Sequence, residues 1–445
     1  MQTTVVSFDP PFAAPDAGAS EIARPARKRW FSLLVKFTSV QVIVQFLGFL
    51  AGIVIVRALP KHEYAFYTIG NTMLASILLL ADSGISSALS AIGGRIWQDR
   101  RGLGSLLNTA LQLRRQLALF TLIAVVPILV WLLRQNGAHL FEGALLVLAV
   151  LAGSGLELIT RIYAVALRLK SEVQQIQTQA LLAALTKLAV VGLAMLFFFN
   201  ALVALLSVVA GYAVQYYMLR RWTKENIDRD APSEPSMRTE IVGVIRKQAP
   251  HSIYFCLQGQ IAIWLIGLFG NADNVANVGA LGRLGMVFAV LSSITCDIVL
   301  PVFSRIQSPR QLRRRYFQIV LSYFAISALL VGTIASFPKQ IFSILGNQYS
   351  GLQAEGILMA ASGVIGAMAG LLWAVNAARA WIVPPQLLIP CTIVLQCVLA
   401  STLKLSTIRG VLQFSLYTGI PSILLSLWFA VKKMREFRPL ACEGQ

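Results

Sequence analysis

Three basic residues, Arg161, Lys187 and Arg283, lie inside apolar segments that are long enough to cross a bilayer as helices. A charge at the centre of such a helix costs about 2.5–3.5 kcal/mol, which indicates a ligand, a partner or a water-filled cavity. The fork of an arginine binds phosphate oxygens in pairs, and a lysine acts as a point charge. These residues predict a cationic cavity for an anionic substrate. A diphosphate is the natural match for a membrane-embedded substrate that carries a sugar.

Three carboxylates, Asp82, Glu157 and Asp297, also lie inside apolar segments. Each is a candidate for cation coupling or for pairing with a basic residue. Glu157 and Arg161 are four residues apart and can pair on one helix, so a self-neutralised structural pair is an alternative to a cavity role. Lys187 lies near the centre of its segment, where lining a cavity and bonding to Glu157 are both open.

Amide side chains extend this polar set in the first two apolar segments. Gln41 and Gln45 recur with Gly48 and Gly52 at spacings of three and four residues, which places them on one helix face. Such a face lies against protein or a wet cavity, and helix packing by small residues is the alternative to substrate contact. Asn71 lies in the second segment. The predicted substrate-binding residues are Arg161, Lys187, Arg283, Gln41, Gln45 and Asn71.

The composition requires a membrane to hold these residues. Hydrophobic residues make up 57% of the 445-residue chain and charged residues 13%, and the mean hydropathy is +0.70. Soluble proteins contain about 25% charged residues, so a soluble enzyme is excluded. The apolar runs are continuous and do not alternate, which favours helices over barrel strands. The predicted spans are 31–58, 64–92, 116–134, 143–168, 176–199, 201–219, 250–270, 275–303, 316–337, 356–380, 385–404 and 410–431.

Basic residues predict how these spans are oriented. Most Lys and Arg residues lie in the two tails and in alternate connections, namely 93–115, 168–175, 220–248 and 305–315. Connections rich in Lys and Arg stay in the cytoplasm, so we predict a multi-pass protein of the cytoplasmic (inner) membrane with both termini in the cytoplasm. The net charge of +19 is thereby explained by topology, and nucleic acid is not an expected partner.

The long basic connection after the sixth span divides the chain into two related halves. The offset between Gly70 and Gly282 nearly equals the offset between Glu142 and Glu355, which indicates an internal repeat. We predict an all-α fold with about 12 transmembrane helices in two six-helix bundles around a central cavity. The predicted domains are a disordered cytoplasmic tail (1–29), an N-terminal lobe (30–220), a cytoplasmic linker (221–248), a C-terminal lobe (249–432) and a cytoplasmic tail (433–445).

The cysteines and histidines do not form a recognisable site. The five cysteines lack CxxC or Cys/His spacing, so neither zinc nor a disulfide framework is indicated. Two of the three histidines, His62 and His139, lie in short connections, and His251 lies at a helix end. The sequence therefore predicts no catalytic residue, no metal site and no cofactor.

The segment 59–89, LPKHEYAFYTIGNTMLASILLLADSGISSAL, resembles the junction of spans 1 and 2 in a known family. The family is that of prokaryotic polysaccharide or O-antigen-type flippases for lipid-linked oligosaccharides. It belongs to the multidrug/oligosaccharidyl-lipid/polysaccharide (MOP) exporter superfamily. The matching residues are Leu59, Pro60, Glu63, Tyr64, Tyr67, Asp82 and Gly84. The chain departs from the pattern at Ala65, where the family usually has Gly, and at Ser83, where it usually has Leu.

This resemblance, together with span count and orientation, covers about residues 30–435. It implies an alternating-access flippase that moves undecaprenyl-diphosphate-linked oligosaccharide units across the cytoplasmic membrane. The product would be an exopolysaccharide, a capsule or an O-antigen. The implied partners are the polyprenyl-diphosphate-linked oligosaccharide and the lipid bilayer, and a polysaccharide polymerase or export complex stays open as a further partner. In this family the cavity is often basic, which agrees with Arg161, Lys187 and Arg283.

Three alternatives stay open at the level of the sequence. A cation-coupled multidrug exporter of the same superfamily would favour buried carboxylates, and Asp82, Glu157 and Asp297 could serve. A flippase for peptidoglycan precursors shares the same plan. A membrane glycosyltransferase, polysaccharide polymerase or ligase would be expected to carry a large outer loop with catalytic residues, whereas the outer connections here are short.

Overall fold

A computed structural model describes most of the chain between residues 23 and 436, and most side chains from residue 40 onward. The residues outside this description are 1–22, 97, 171, 229–230, 286–287, 289–290, 293–294, 296–298, 301–302, 304–305, 307, 350, 380, 382 and 437–445. The described part is helical and contains no strand. The predicted tail 1–29 lies largely outside it, and α1 begins at Ala23.

Fourteen α-helices follow one another in the described part. They are α1 (Ala23–Ala58), α2 (Lys61–Asp82), α3 (Ile85–Ile96), α4 (Arg100–Gln135), α5 (Leu140–Leu169), α6 (Val173–Phe197), α7 (Ala201–Asn226), α8 (Pro235–Phe269), α9 (Ala272–Gly282), α10 (Pro309–Ser336), α11 (Pro338–Leu345), α12 (Gln353–Ala377), α13 (Pro385–Thr402) and α14 (Ile408–Glu436). Short 3-10 turns lie at Arg283–Gly285 and Asn347–Tyr349. We call α1–α7 the N-terminal half and α8–α14 the C-terminal half.

Ten of the described helices are long and apolar enough to cross a membrane. They are α1, α2, α4, α5, α6, α7, α10, α12, α13 and α14. The other two predicted spans, 250–270 and 275–303, correspond to the end of α8 and to α9 with the partly described residues after it. The predicted all-α, polytopic membrane fold is confirmed.

The second predicted span, 64–92, is not one helix. Helix α2 ends at Asp82, and Ser83 and Gly84 both adopt positive φ angles, 33° and 100°. Two successive residues in the left-handed region interrupt the helical hydrogen bonds, so α3 starts anew at Ile85. The eighth predicted span is interrupted as well, because α9 ends at Gly282 and a 3-10 turn follows. Interrupted helices thus occupy corresponding places in the two halves.

The segment predicted as a linker, 221–248, is mostly helical. Helix α7 runs to Asn226 and α8 begins at Pro235, which leaves a connection at 227–234. Two side chains of α4 hold this connection, because Ser105 Oγ donates to the Pro232 carbonyl at 2.6 Å and Asn108 Nδ2 donates to the Ala231 carbonyl at 2.8 Å. The connection is therefore attached to the N-terminal half along α4.

The largest cluster of buried apolar side chains joins the two halves. It contains Ile55, Tyr64 and Leu133 from the N-terminal half and Val278 and Leu345 from the C-terminal half. Most of its members lie toward the end of the bundle where α1 ends and α2 begins. We call this the outer end, and the predicted orientation places it on the periplasmic side.

Two further apolar clusters lie toward the opposite, inner end. One joins α3, α4 and α5 to the first turns of α8 through Ile241 and Ile245. The other joins α10, α12 and α14 to Phe303 and Trp381. Among the described residues, these two inner clusters share no member. The two halves therefore share one large core at the outer end. At the inner end the first part of α8 packs with the N-terminal half, and α10, α12 and α14 form a separate core.

A methyl group at Gly104 tests the attachment of the connection to α4. A Cβ there would overlap the backbone oxygen of Asp228, so Gly104→Ala must displace the connection. We expect a fall of several degrees in the melting temperature of the purified protein. Gly243→Ala on α8 is the control, since a Cβ there meets no atom within 4 Å and alanine favours the helix. Equal melting temperatures for the two variants would contradict the attachment.

Candidate functional site

Arg283 lies where the two halves meet, directly after α9. Its Nε donates a hydrogen bond to the Tyr64 hydroxyl at 3.2 Å, and its guanidinium carbon lies 5.6 Å from the centre of the Tyr67 ring. Tyr64 and Tyr67 are one turn apart on α2, so both face α9, and both are fully buried. Gly52 of α1 completes the enclosure, because a Cβ there would lie 3.2 Å from Nη1 of Arg283.

This cation has neutral neighbours. The ion pairs found among the described residues include neither Arg283 nor Lys187. A buried arginine is stabilised in part by the negative faces of aromatic rings, and tyrosine hydroxyls add hydrogen-bond acceptors. These groups carry no full negative charge, so the site keeps a net positive charge. An anion that reached it would gain a strong, weakly screened attraction.

Lys187 on α6 belongs to the same region. It lies close enough to Tyr67 for its charge to act on the tyrosine hydroxyl, as the charge of Arg283 does. That hydroxyl has no hydrogen-bond partner among the described residues. Two of the three predicted cations, Lys187 and Arg283, thus lie within electrostatic range of the same buried tyrosine. The ion pairs of the described residues join Glu157 to Arg161 and do not include Lys187.

The predicted pair of Glu157 and Arg161 is present on α5. Nε of Arg161 donates to Oε1 of Glu157 at 2.9 Å. The second oxygen, Oε2 of Glu157, is buried and lacks a hydrogen-bond partner in the described part of the chain. Tyr212 on α7 is within electrostatic reach of both members and of Tyr67. Tyr212 thus links the Glu157–Arg161 pair electrostatically to Tyr67 of the Arg283 site. The charge of Arg161 itself is balanced by Glu157.

Asp82 is also matched, by a residue that the sequence pattern missed. Arg114 donates to the Asp82 carboxylate, to the Leu158 carbonyl at 2.8 Å and to Ser86 Oγ at 3.2 Å. Ser86 Oγ in turn donates to Asp82 at 2.6 Å. Arg114 was predicted to lie in the cytoplasmic connection 93–115. Helix α4 instead begins at Arg100 and buries Arg114, with 2% of the residue exposed. The apolar run at 116–134, which follows Arg114 closely, was the feature of the sequence that could have indicated a helix extending back to this residue.

The amide residues occupy intermediate positions. Gln41 and Gln45 on α1 and Asn71 on α2 are half-buried. Gly52, on the predicted polar face of α1, lies against Arg283, whereas a Cβ at Gly48 would meet no atom within 4 Å. Gly52 is therefore closely packed, whereas α1 is open at Gly48. The cavity-lining role of Gln41, Gln45 and Asn71 stays a prediction.

Two further predictions concern carboxylates and metals. Asp297 lies outside the described residues, so its predicted coupling or pairing role stays a prediction. Among the described residues, no group of three or more His, Cys, Asp or Glu side chains is arranged to hold a metal ion.

Comparison with known proteins places this architecture among transporter structures. One match is an inward-facing conformation of a multidrug resistance MATE family transporter of the MOP superfamily, with a TM-score of 0.62 and 15% identity over 90% of this chain and 99% of that chain. An outward-facing conformation of such a transporter matches with a TM-score of 0.57 and 17% identity over 91% and 96%. At these identities the matches show the fold.

A third match is a MOP superfamily transporter from Pyrococcus furiosus Vc1, described as having a binding pocket of reversed polarity that suggests a different function. It has a TM-score of 0.58 and 16% identity over 91% of this chain and 95% of that chain. No model of a protein family and no curated protein sequence matches the chain. The chain therefore has the same fold as these MATE-type transporter structures.

The pair of Asp82 and Arg114 can be tested by a double-mutant cycle. Arg114→Met leaves the half-buried Asp82 carboxylate without its partner, and we expect a loss of about 3 kcal/mol in the free energy of unfolding. Adding Asp82→Leu removes the unpaired charge and recovers most of that loss. Thermal unfolding of the purified variants measures both steps.

The control for this cycle is Arg409→Met, which breaks the pair with Glu355. The Arg409 side chain is 67% exposed, so its loss is expected to change stability by about 1 kcal/mol or less. Additive effects of the two substitutions at Asp82 and Arg114 would contradict a direct buried pair.

Proposed function

We propose that the chain is an alternating-access transporter whose cavity accepts an anionic amphiphile. The observation that carries this proposal is the charge balance around the inter-half site. Among the described residues Arg283 and Lys187 form no ion pair, whereas the two carboxylates predicted inside the membrane in the N-terminal half, Asp82 and Glu157, pair with Arg114 and Arg161. Within that described set, the uncompensated charge inside the membrane region is positive. The likeness of the fold to transporter structures also favours a transport function over an enzymatic one.

A polyprenyl-diphosphate-linked oligosaccharide is the best match for such a cavity. Its diphosphate would take the Arg283 fork and the Lys187 point charge, which suit phosphate oxygens. Its lipid tail would stay in the bilayer, and its glycan would occupy the water-filled part of the cavity beside the amides of α1. Gln41, Gln45 and Asn71 are the proposed contacts to that part of the substrate.

The packing of the halves supports alternating access. The outer end is closed by the apolar cluster that both halves share. At the inner end the core of α3, α4, α5 and the first part of α8 is separate from the core of α10, α12 and α14. With the predicted inner-membrane orientation and cytoplasmic termini, the cavity would open to the cytoplasm, where lipid-linked sugars are assembled. Export of each negative charge is favoured by about 2.3 kcal/mol per 100 mV of inside-negative potential. The proposed product pathway is the biosynthesis of exopolysaccharide, capsule or O-antigen.

A cation-coupled multidrug exporter is the second candidate, and the comparisons favour it. Several similar structures are named as multidrug resistance or MATE transporters. Within this chain, the unpartnered Oε2 of Glu157 is a buried acceptor that could take a proton or a small cation. The match with reversed pocket polarity indicates that the same fold also serves other substrates. Substrate charge therefore separates the two candidates.

The lipid profile of a strain that lacks the gene distinguishes them. We expect one complete polyprenyl-diphosphate-linked sugar to accumulate on the cytoplasmic face, as measured by mass spectrometry beside the parent strain. An unchanged profile with new drug sensitivity would contradict the flippase and support the exporter. Accumulation of the same lipid on the periplasmic face would instead indicate a polymerase or ligase.

Variants of Arg283 test the site itself in the complemented strain. At matched membrane levels, we expect Arg283→Ala to lower polymer production at least tenfold, because the phosphate-binding fork is lost. Arg283→Lys keeps the charge and should retain part of the activity. Arg134→Ala is the control, because Arg134 is exposed at the end of α4. Full activity of Arg283→Ala would remove Arg283 from the site.

A further inference from the structure

The two halves differ at the outer end. In the N-terminal half, α4 and α5 are joined by the short connection 136–139. At the corresponding place in the C-terminal half, α10 and α12 are joined by the longer connection 337–352, which contains α11 and a 3-10 turn. The additional segment, 338–349, reaches across to the N-terminal half.

Polar contacts of this segment go to the end of α1. Nε2 of Gln348 donates to the backbone oxygens of Val56 at 3.0 Å and Leu59 at 3.3 Å, and Nη2 of Arg57 donates to the backbone oxygen of Ser343 at 2.6 Å. The last carbonyls of a helix have no partner within the helix. One half of the protein thus supplies the hydrogen bonds that finish a helix of the other half.

Apolar contacts of the segment continue this junction inward. Phe342, Leu345 and Tyr349 are buried in the cluster that the two halves share. The ring of Tyr349 meets the ring of Tyr64 edge-on with 6.4 Å between ring centres, and Nζ of Lys61 lies 5.7 Å from the centre of the Tyr349 ring. Tyr64 in turn accepts the hydrogen bond of Arg283. The segment and the Arg283 site therefore form one continuous closure.

A glycine shapes the segment for this contact. Gly346 separates α11 from the 3-10 turn with a φ of 106°, which other residues rarely adopt. This sharp turn lets Leu345 and Tyr349 both enter the shared cluster while Ser343 and Gln348 stay exposed beside α1. Burial raises the pKa of Tyr349 far above its usual value, so the ring contributes no charge.

We propose that segment 338–349 is an outer latch that holds the halves together while the cavity is open at the inner end. Its polar contacts are a few neutral or exposed hydrogen bonds, each with a modest net effect, and water can replace them when the halves part. The latch can therefore open and close, unlike a buried ion pair. The proposal concerns the closure alone and holds for any transported substrate.

The test measures how often the outer end opens. In a chain whose five native cysteines are replaced, Thr68→Cys places a thiol beneath the closure, where Thr68 is buried on α2 against Gly279. A membrane-impermeant maleimide added to intact cells then reports access from outside. We expect Gln348→Ala to raise the labelling rate about tenfold, because both of its hydrogen bonds to α1 are lost. Gly346→Ala should raise the rate as well through the strained turn.

Gln340→Ala is the matched control, because Gln340 is exposed on α11 within the same segment. It should leave the labelling rate unchanged. Unchanged labelling in both Gln348→Ala and Gly346→Ala would overturn the latch, and so would an equal rise in the control. Labelling from the cytoplasmic side alone, seen in inverted vesicles, would show that the closure is not outer. The experiment measures labelling and not transport, so its outcomes do not depend on the proposed substrate.

Discussion

A half-buried guanidinium held by two buried tyrosines is the constraint around which the two halves are arranged. Arg283 cannot stay in a low-dielectric interior without acceptors, and the nearest ones are the hydroxyl of Tyr64 and the ring of Tyr67 on the opposite half. Gly52 on α1 leaves the room that the side chain needs. Because these partners are neutral, the contact joins the halves while the positive charge remains available to a ligand.

The charge of Arg283 differs from the charges in the inner part of the N-terminal half, which are paired. There, Asp82 is held by Arg114 and Glu157 by Arg161, so opposite charges cancel within the half. The outer end combines the Arg283 contact, the shared apolar cluster and the segment 338–349, whereas the inner end has two separate cores. A binding site at the junction of two rigid bodies is suited to alternating access, because opening one end requires closing the other.

The membrane fold and most of the charged residues inside it could be predicted from the sequence. Long apolar runs and the cost of a buried charge are local properties, so both can be recognised without knowing the structure. The pairing of Glu157 with Arg161 followed from their helical spacing. Arg114 was missed because basic residues precede it along the first turns of α4, which made that stretch read as a connection.

Other features depend on partners far away in sequence or on local backbone geometry. The break after Asp82 rests on the positive φ of Ser83, to which hydropathy is insensitive. The association of Arg283 with Tyr64 joins residues far apart in the chain through a neutral group, so charge matching could not find it. Segment 338–349 is similarly recognised only when its contacts to α1 are seen.

Transport by the purified protein in vesicles shows whether the site at Arg283 selects an anionic substrate. Two fluorescent substrates would be compared in the same proteoliposomes: a polyprenyl-diphosphate-linked sugar and a lipophilic cationic dye. We expect movement of the diphosphate lipid, loss of that movement in Arg283→Ala, and no accumulation of the dye. Transport of the cation with no movement of the diphosphate lipid would contradict this selectivity.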